Sequence, residues 1–308
     1  MNEIIAIDTG FSSVKVKTKE KEFKFPSAIA THKPSAISLG EEPSYVEYQG
    51  KKYIVGEEAL DYDDKKYARS IEFLLEYAPL FVAEAIKRIN KKIDTLSVGL
   101  PLGYYMKHKE DLEKKLSKFM INDEVYEFNV LVHPQGVGIL ADYVYHEKPE
   151  ENEEGYVLDI GFNTVIAVRY KELKAKAEGS KQYELFGISK AIENLQEYIK
   201  AKYDLNLNSI ESNDVFLKGY LKAGYGKKYD LTDQINQIME NYIDTLLKTI
   251  EDEFDRHLKK ADKLIIAGGG AYHIKKYLPE KYKDFIHIPS NPEFANVRGF
   301  YILGNGEV

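Results

Sequence analysis

The chain has 308 residues, 44% of them hydrophobic, and a formal net charge of -7, so it can bury a sizeable core and is long enough to favour two domains over one. Zero cysteines exclude disulfides and thiolate metal centres, and seven histidines with no close-spaced pair argue against a transition-metal site. The acidic balance argues against direct nucleic-acid binding, which rests on Lys and Arg neutralising phosphates, so any link to DNA is expected to be indirect.

No apolar run reaches the roughly 18 residues of a membrane span, and the chain enters a strand-like run by Glu3 without a basic-then-apolar leader, which sets the expectation of a cytoplasmic protein. Runs at 3 to 8, 13 to 18 and 22 to 25 read as a meander, with TGFSS as its first tight turn. A polar stretch around 40 to 66 precedes a helical segment, APLFVAEAIKRIN, with Pro79 near its first turn and Leu80, Ala83, Ile86 and Ile89 on one face. TLSVGLP then reads as a strand, KHKEDLEKKLSKFM as a charged surface helix, YEFNVLVHP as a strand and QGVGILADYVYH as a helix. The acidic run HEKPEENEEG is a connection between domains or simply a solvated loop.

Beyond it the order repeats. YVLDIG, a turn, VIAVRYKEL and a further strand-like run lead into a helix over GISKAIENLQEYIKAKY, and a long amphipathic helix follows from about Asp233 to Lys260. That helix reads as core-facing, with a coiled-coil partner surface as the alternative. KLIIAGGGAY gives a strand running into three glycines, and FIHIPSNPEFANVRGFYILG closes the chain. The class is α/β with a repeated sheet plan.

The repeat is sharpest at two turns. IIAIDTGFSSVKV and YVLDIGFNTVIAV, aligned with Asp8 on Asp159, share Asp, Gly, Phe and Val at equal offsets, 151 positions apart. A strand ending on Asp and bending through Gly sets a carboxylate beside open backbone N–H groups, an arrangement suited to phosphate with a hard cation such as Mg²⁺ held through water. Lys15 adds a point charge in the first copy, where the second has Ile166. Each turn alone is also an ordinary hairpin turn; the pairing favours the functional reading. The glycines Gly268, Gly269 and Gly270 suggest close approach by a flat ligand, with a plain flexible turn as the alternative.

Two other patterns compete. QGVGILA carries G-x-G-x-x-A, a passable dinucleotide fingerprint with Asp159 about 20 residues on; the alternative for Gly136, Gly138 and Ala141 is close helix packing, with Ala295 and Gly299 as a similar small face and a hinge between domains as the expected result. No P-loop pattern exists, since Gly50 and Gly226 are each followed by two lysines.

Taken together the chain resembles the actin superfamily of actins, heat-shock chaperone ATPases and sugar kinases, and within it the plasmid and archaeal actin-like proteins related to ParM. IDTGFSS resembles the first phosphate loop, HPQGVGILADY the first connecting helix, LDIGFNT the second phosphate loop, IIAGGGA the adenosine loop and NPEFANVRGFY the second connecting helix. The resemblance implies two similar domains of the actin-like ATPase (ribonuclease H-like) fold around a central nucleotide cleft, with domain I at 1–148, 288–308 returning to it, and domain II at 149–287.

It also implies roles. Asp8 and Asp159 would hold the water shell of Mg²⁺; Gly10, Ser12, Ser13 and Lys15 would face the phosphates of ATP or ADP, with Gly161, Asn163 and Thr164 opposite. Gln135 would orient the attacking water, its bland alternative being a helix-start residue bonding backbone. Gly268, Gly269 and Gly270 would approach adenosine, and Gly187 to Lys190 ribose or base. Ala167 and Val168 stand where relatives often carry an acidic residue. The implied activity is ATP hydrolysis coupled to head-to-tail filament assembly, serving plasmid segregation through an adaptor protein or a prokaryotic cytoskeleton. The rivals are a monomeric small-molecule kinase, for which Asp142 is the best base unless it is a helix-surface residue, an NAD-dependent enzyme, and a nucleotide-gated binding protein.

Overall fold

The computed structural model of the chain describes residues 3–32, 44–278, 282 and 284–307. It forms two compact units, Met1–Pro149 with Phe294–Val308, and Glu150–Glu293.

In the first unit the meander is β1 (Ile4–Thr9), β2 (Ser13–Lys17) and β3 (Glu22–Pro26). Four short strands follow, β4 (Ala28–Thr31), β5 (Val46–Tyr48), β6 (Lys51–Val55) and β7 (Lys66–Tyr67), in a separate sheet of order β5-β6-β4-β7. They take up much of the polar stretch around 40 to 66, of which residues 40–43 lie outside the described residues. Helix α1 (Ile71–Ile89) begins earlier than the sequence suggested, because Ser70 caps it by accepting the Phe73 N–H at 3.3 Å. Pro79 therefore sits inside the helix rather than near its start. It has no N–H for the Leu75 carbonyl, and Lys115 Nζ, from α2 (Leu102–Ser117), donates to that oxygen at 2.8 Å instead.

Strand β8 (Thr95–Leu100) precedes α2, and a hairpin of β9 (Lys118–Ile121) and β10 (Glu124–Glu127) follows it. The expected charged helix thus stops at Ser117, and the expected strand over 126 to 134 divides into β10 and β11 (Asn129–Pro134). Asn122-Asp123, both at positive φ (51° and 61°) as a two-residue hairpin requires, turns β9 back onto β10. Helix α3 (Val137–Glu147) ends the segment. The main sheet has the order β11-β8-β1-β2-β3, with β8 and β11 parallel to β1 and the meander antiparallel.

The second unit repeats that plan. Its strands β12 (Glu154–Ile160), β13 (Thr164–Lys171) and β14 (Lys174–Glu184) form the antiparallel part. Helices α4 (Ser189–Tyr203) and α5 (Ser209–Lys218), a hairpin of β15 (Tyr220–Lys222) and β16 (Lys228–Asp230), and α6 (Thr232–Leu258) come next. Strand β17 (Lys263–Ala267), the short α7 (Ala271–Ile274) and β18 (Ile286–His287) complete it, giving the sheet β14-β13-β12-β17-β18. Read from β18, this is the strand order and direction of the first sheet. Leu158, Ile160, Val165 and Ala167 bury one sheet face against α4, α5 and α6. The periodic side of α6, from Ile235 to Phe254, lies in that core; burying each large apolar side chain there contributes roughly 1.5 to 3 kcal/mol.

The last helix, α8 (Ala295–Asn305), belongs to the first unit. Alternation along β1 sorts the two faces of its sheet: Ile5 and Ile7 join Val14 and Val16 against α1 and α2, while Ala6 meets Val297 and Phe300 of α8. Helices α3 and α8 cross at glycine. A Cβ on Gly299 would lie 1.7 Å from the Gly138 carbonyl oxygen, and one on Gly138 would lie 2.5 Å from that of Asn296. The small-residue stripes are thus a close helix crossing, and both helices belong to the first unit. No helix among the described residues is long and apolar enough to cross a membrane.

Candidate functional site

The two aspartate turns occupy the same place in the two sheets. Asp8 pairs in register with Lys15, and Asp159 with Ile166. Each turn closes with one backbone bond, Gly10 N–H to Ser13 O at 3.1 Å and Gly161 N–H to Thr164 O at 2.9 Å. Because side chains alternate along a strand, Asp8 shares the Ala6 side of β1 and Asp159 lies opposite the face that Leu158 and Ile160 turn to the helices.

In the first turn Asp8 is 2% exposed, a costly place for a carboxylate unless it is partnered. Gln135 Nε2 donates to its Oδ1 at 2.7 Å, and Lys15 Nζ lies 3.6 Å from its Oδ2. Gln135 is itself buried at the end of β11, its N–H bonded to Leu100 O at 2.7 Å. Three expected residues, Asp8, Lys15 and Gln135, therefore meet. Gly10, Ser12 and Ser13 form the bend beside them. A residue the sequence did not single out holds that bend: buried Ser27 donates its Oγ–H to Gly10 O at 2.6 Å and its N–H to Ser12 O at 3.2 Å. A serine after a strand carries no signal for this.

The second turn is held by a helix start. The N–H groups of Ile188 and Ser189 donate to Gly161 O and Phe162 O, and those of Phe186 and Gly187 to Asn163 O. Gly187 must be glycine, since a Cβ would meet the Phe162 and Gly161 carbonyl oxygens at 2.4 and 2.6 Å. Thr164 is buried, whereas Lys190 is exposed and pairs with Glu193 at 3.2 Å. Tyr242 of α6 braces the same segment by donating to Phe186 O at 3.0 Å, and burial pushes its phenol pKa up.

The three glycines divide by role. Gly268 stands at φ 86°, and its Cβ would lie 2.4 Å from Asp159 Oδ1; one on Gly270 would lie 2.4 Å from Ile160 Cγ2. Both are glycine because the turn after β17 packs on β12. Only Gly269 among the three is exposed, with nothing within 4 Å of a Cβ.

Two expectations are corrected. The dinucleotide fingerprint is filled by protein: the Gly136 N–H is bonded to Asn296 Oδ1 at 2.9 Å, and Gly138 lies under Asn296 and Phe300. A pyrophosphate has no place there. Asp142 is neither a surface residue nor a free base, being 2% exposed and gripped by Arg298 through Nε at 2.8 Å and Nη2 at 2.7 Å. A partner 156 positions away was not visible in the local pattern. Among the described residues no three His, Asp or Glu side chains gather as a metal cluster; Asp8 and Asp159 each offer the hard oxygen donors that Mg²⁺ prefers.

Duplicated mixed sheets, each with a carboxylate-tipped turn, define an actin-like α/β protein. Residues 6–138 match the family model of the actin-like proteins N-terminal domain, and residues 157–280 that of the archaeal actin homologue MreB-like C-terminal domain. Ta0583, an archaeal actin homologue, superposes with a TM-score of 0.84 at 20% identity, covering 100% of both chains. A ParM from a 15-stranded filament of Clostridium botulinum gives 0.80 at 20% identity, covering 99% of this chain and 100% of that one. Bacillus thuringiensis ParM with AMPPNP gives 0.69 at 21%, covering 99% of each. No curated protein matches the sequence. The chain belongs to the actin-like ATPase family related to ParM and the archaeal MreB-like proteins.

Proposed function

We propose that the protein binds ATP with Mg²⁺, hydrolyses it to ADP, and assembles head to tail into filaments under nucleotide control. The observation that carries this reading is the pair of turns, Asp8 opposite Lys15 and Asp159 opposite Ile166, at equivalent positions of two sheets with one topology. Asp8 and Asp159 hold the water shell of Mg²⁺. Gly10, Ser12, Ser13 and Lys15 take phosphate at one turn, and Gly161, Asn163 and Thr164 at the other. Gln135 orients the attacking water by hydrogen bonding, and its contact with Asp8 supports that role.

Gly269, the open member of its turn, lies nearest adenosine, with Gly268 and Gly270 shaping the approach. Gly187 and Lys190 lie at the helix start beside ribose. Ta0583 has been solved in complex with ADP, and a relative from Clostridium botulinum as a filament, which supports both parts of the proposal. A heterologous contact that does not close a ring gives a filament. An adaptor protein carries any link to plasmid DNA, and the setting is the cytoplasm. A kinase reading gains nothing from Asp142, which Arg298 holds.

At ATP·Mg²⁺ a hundred-fold above Kd, the folded state gains about 2.7 kcal/mol, a rise of several degrees in melting temperature for domains of this size. The same excess of NAD should give none. Asp159→Ala should lose most of the ATP shift; a full shift in that variant refutes the metal role. Light scattering after ATP addition then tests assembly, and persistent monomers over a wide concentration range refute the filament.

A further inference from the structure

We infer that Asn296 is a positioning residue for ATP hydrolysis, holding Gln135 through the backbone of Gly136; this rests on the role proposed above for Gln135. Asn296 is 4% exposed and accepts the Gly136 N–H on its Oδ1 at 2.9 Å, across 160 positions of chain. Gly136 stands at φ 86°, a conformation only glycine adopts without strain. The peptide that follows Gln135 therefore has one geometry and one buried donor, and a side chain from α8 satisfies it. On its other side Gln135 is tied by its own N–H to Leu100 O. The direction in which its amide reaches is set between those two bonds.

Phe300, one turn beyond Asn296, completes the support. Its ring fills the space that Gly99 and Gly138 leave and stacks on His133 at 5.7 Å, and Ser97 Oγ donates to its carbonyl at 2.7 Å. The Cβ that Gly99 lacks would stand between that ring and Asp8 Oδ1, at 2.3 Å and 3.2 Å. One face of α8 is thus the floor beneath the Asp8–Gln135 contact.

The chain also joins this floor to the glycine turn after β17. Gly268 donates its N–H to Pro292 O at 2.9 Å, and Asp159 Oδ1 occupies the place of its side chain. Pro292 lies four residues before Asn296.

The test combines Asn296→Ala, Asn296→Asp and Gln135→Ala. In Asn296→Ala, hydrogen exchange over residues 134–138 should rise, the ATP-induced melting shift should persist with KM nearly unchanged, and kcat should fall roughly ten- to a hundred-fold, the scale of a small misplacement. Asn296→Asp keeps an acceptor oxygen and guards against a folding failure; it should restore protection and most of kcat. Adding Asn296→Ala to Gln135→Ala should cost nothing further, since the two act as one unit. Multiplicative losses in the double variant, unchanged exchange in Asn296→Ala, or a kcat as low in the Asp variant as in the Ala variant each overturn the inference while the functional reading stands. A wild-type chain that releases no phosphate from ATP overturns both.

Discussion

Gly299→Ala is the severest single test of how the first unit is built. A Cβ there would lie 1.7 Å from Gly138 O and 2.4 Å from its carbonyl carbon, all backbone that no rotamer change can move. Ordinary contact begins at 3.4 Å, so α3 and α8 must part by roughly 1.7 Å. That parting stretches the 2.9 Å bond from Gly136 to Asn296 beyond hydrogen-bonding range. Overpacking costs about 1 to 3 kcal/mol, and a buried donor left without a partner about 1 to 3 more, so the expected loss is roughly 2 to 6 kcal/mol. At about 2 to 4 °C per kcal/mol, the melting temperature should drop by roughly 10 °C. Gly269→Ala, where nothing lies within 4 Å of the added carbon, is the control and should change stability by under about 0.5 kcal/mol. A Gly299→Ala protein melting within about 2 °C of wild type would refute the crossing geometry.

Three further outcomes follow from the same interior. Arg298→Met should cost about 3 to 5 kcal/mol by stranding the buried Asp142 carboxylate, and Asp142→Leu in the same chain should recover most of it; urea unfolding of the single and double variants checks this. Lys115→Met should cost about 1 kcal/mol by leaving the Leu75 carbonyl unserved, a loss that should vanish beside Pro79→Ala, whose restored N–H takes the oxygen. Burial pushes the pKa values of His133 and His273 below the usual 6.5. Below pH 6.5 the unfolded chain therefore binds protons that the folded one refuses, so stability should fall with pH. Urea midpoints between pH 7.5 and 5.5 should show a slope that flattens in His133→Phe and His273→Phe, and an unaltered slope in both would refute the assignment.

What could be read in the sequence was what is local or repeated. The two Asp-x-Gly-Phe turns were legible because their offset survives intact, and the register of Asp8 with Lys15 and of Asp159 with Ile166 is the folded form of that offset. The amphipathic side of α6 was legible because twenty-seven residues hold one period. Pro79 misled, since proline favours a helix start and only a lysine 36 positions later makes it tolerable inside. The β9–β10 turn did carry its signal, Asn122-Asp123, but the charges of the preceding helix ran past it. Asn296, Arg298 and Phe300 stood out no further than the small face of Ala295 and Gly299 beside them, because what each touches lies more than 150 positions upstream.

The way the second bend is tied down has a consequence for charge. Its oxygens at Gly161, Phe162, Asn163 and Thr164 are all engaged by amides of the same unit, so each main-chain acceptor of the bend already has a partner within the protein. The main chain of such a bend has few acceptors to spare for a cation, so oxygen donors for one must come from a side chain, and Asp159 is the carboxylate at hand. Any liking of this bend for a cation is thereby vested in one side chain rather than in the main chain, so a single substitution at Asp159 removes it while the fold of the bend, tied by its own amides, stays as it is.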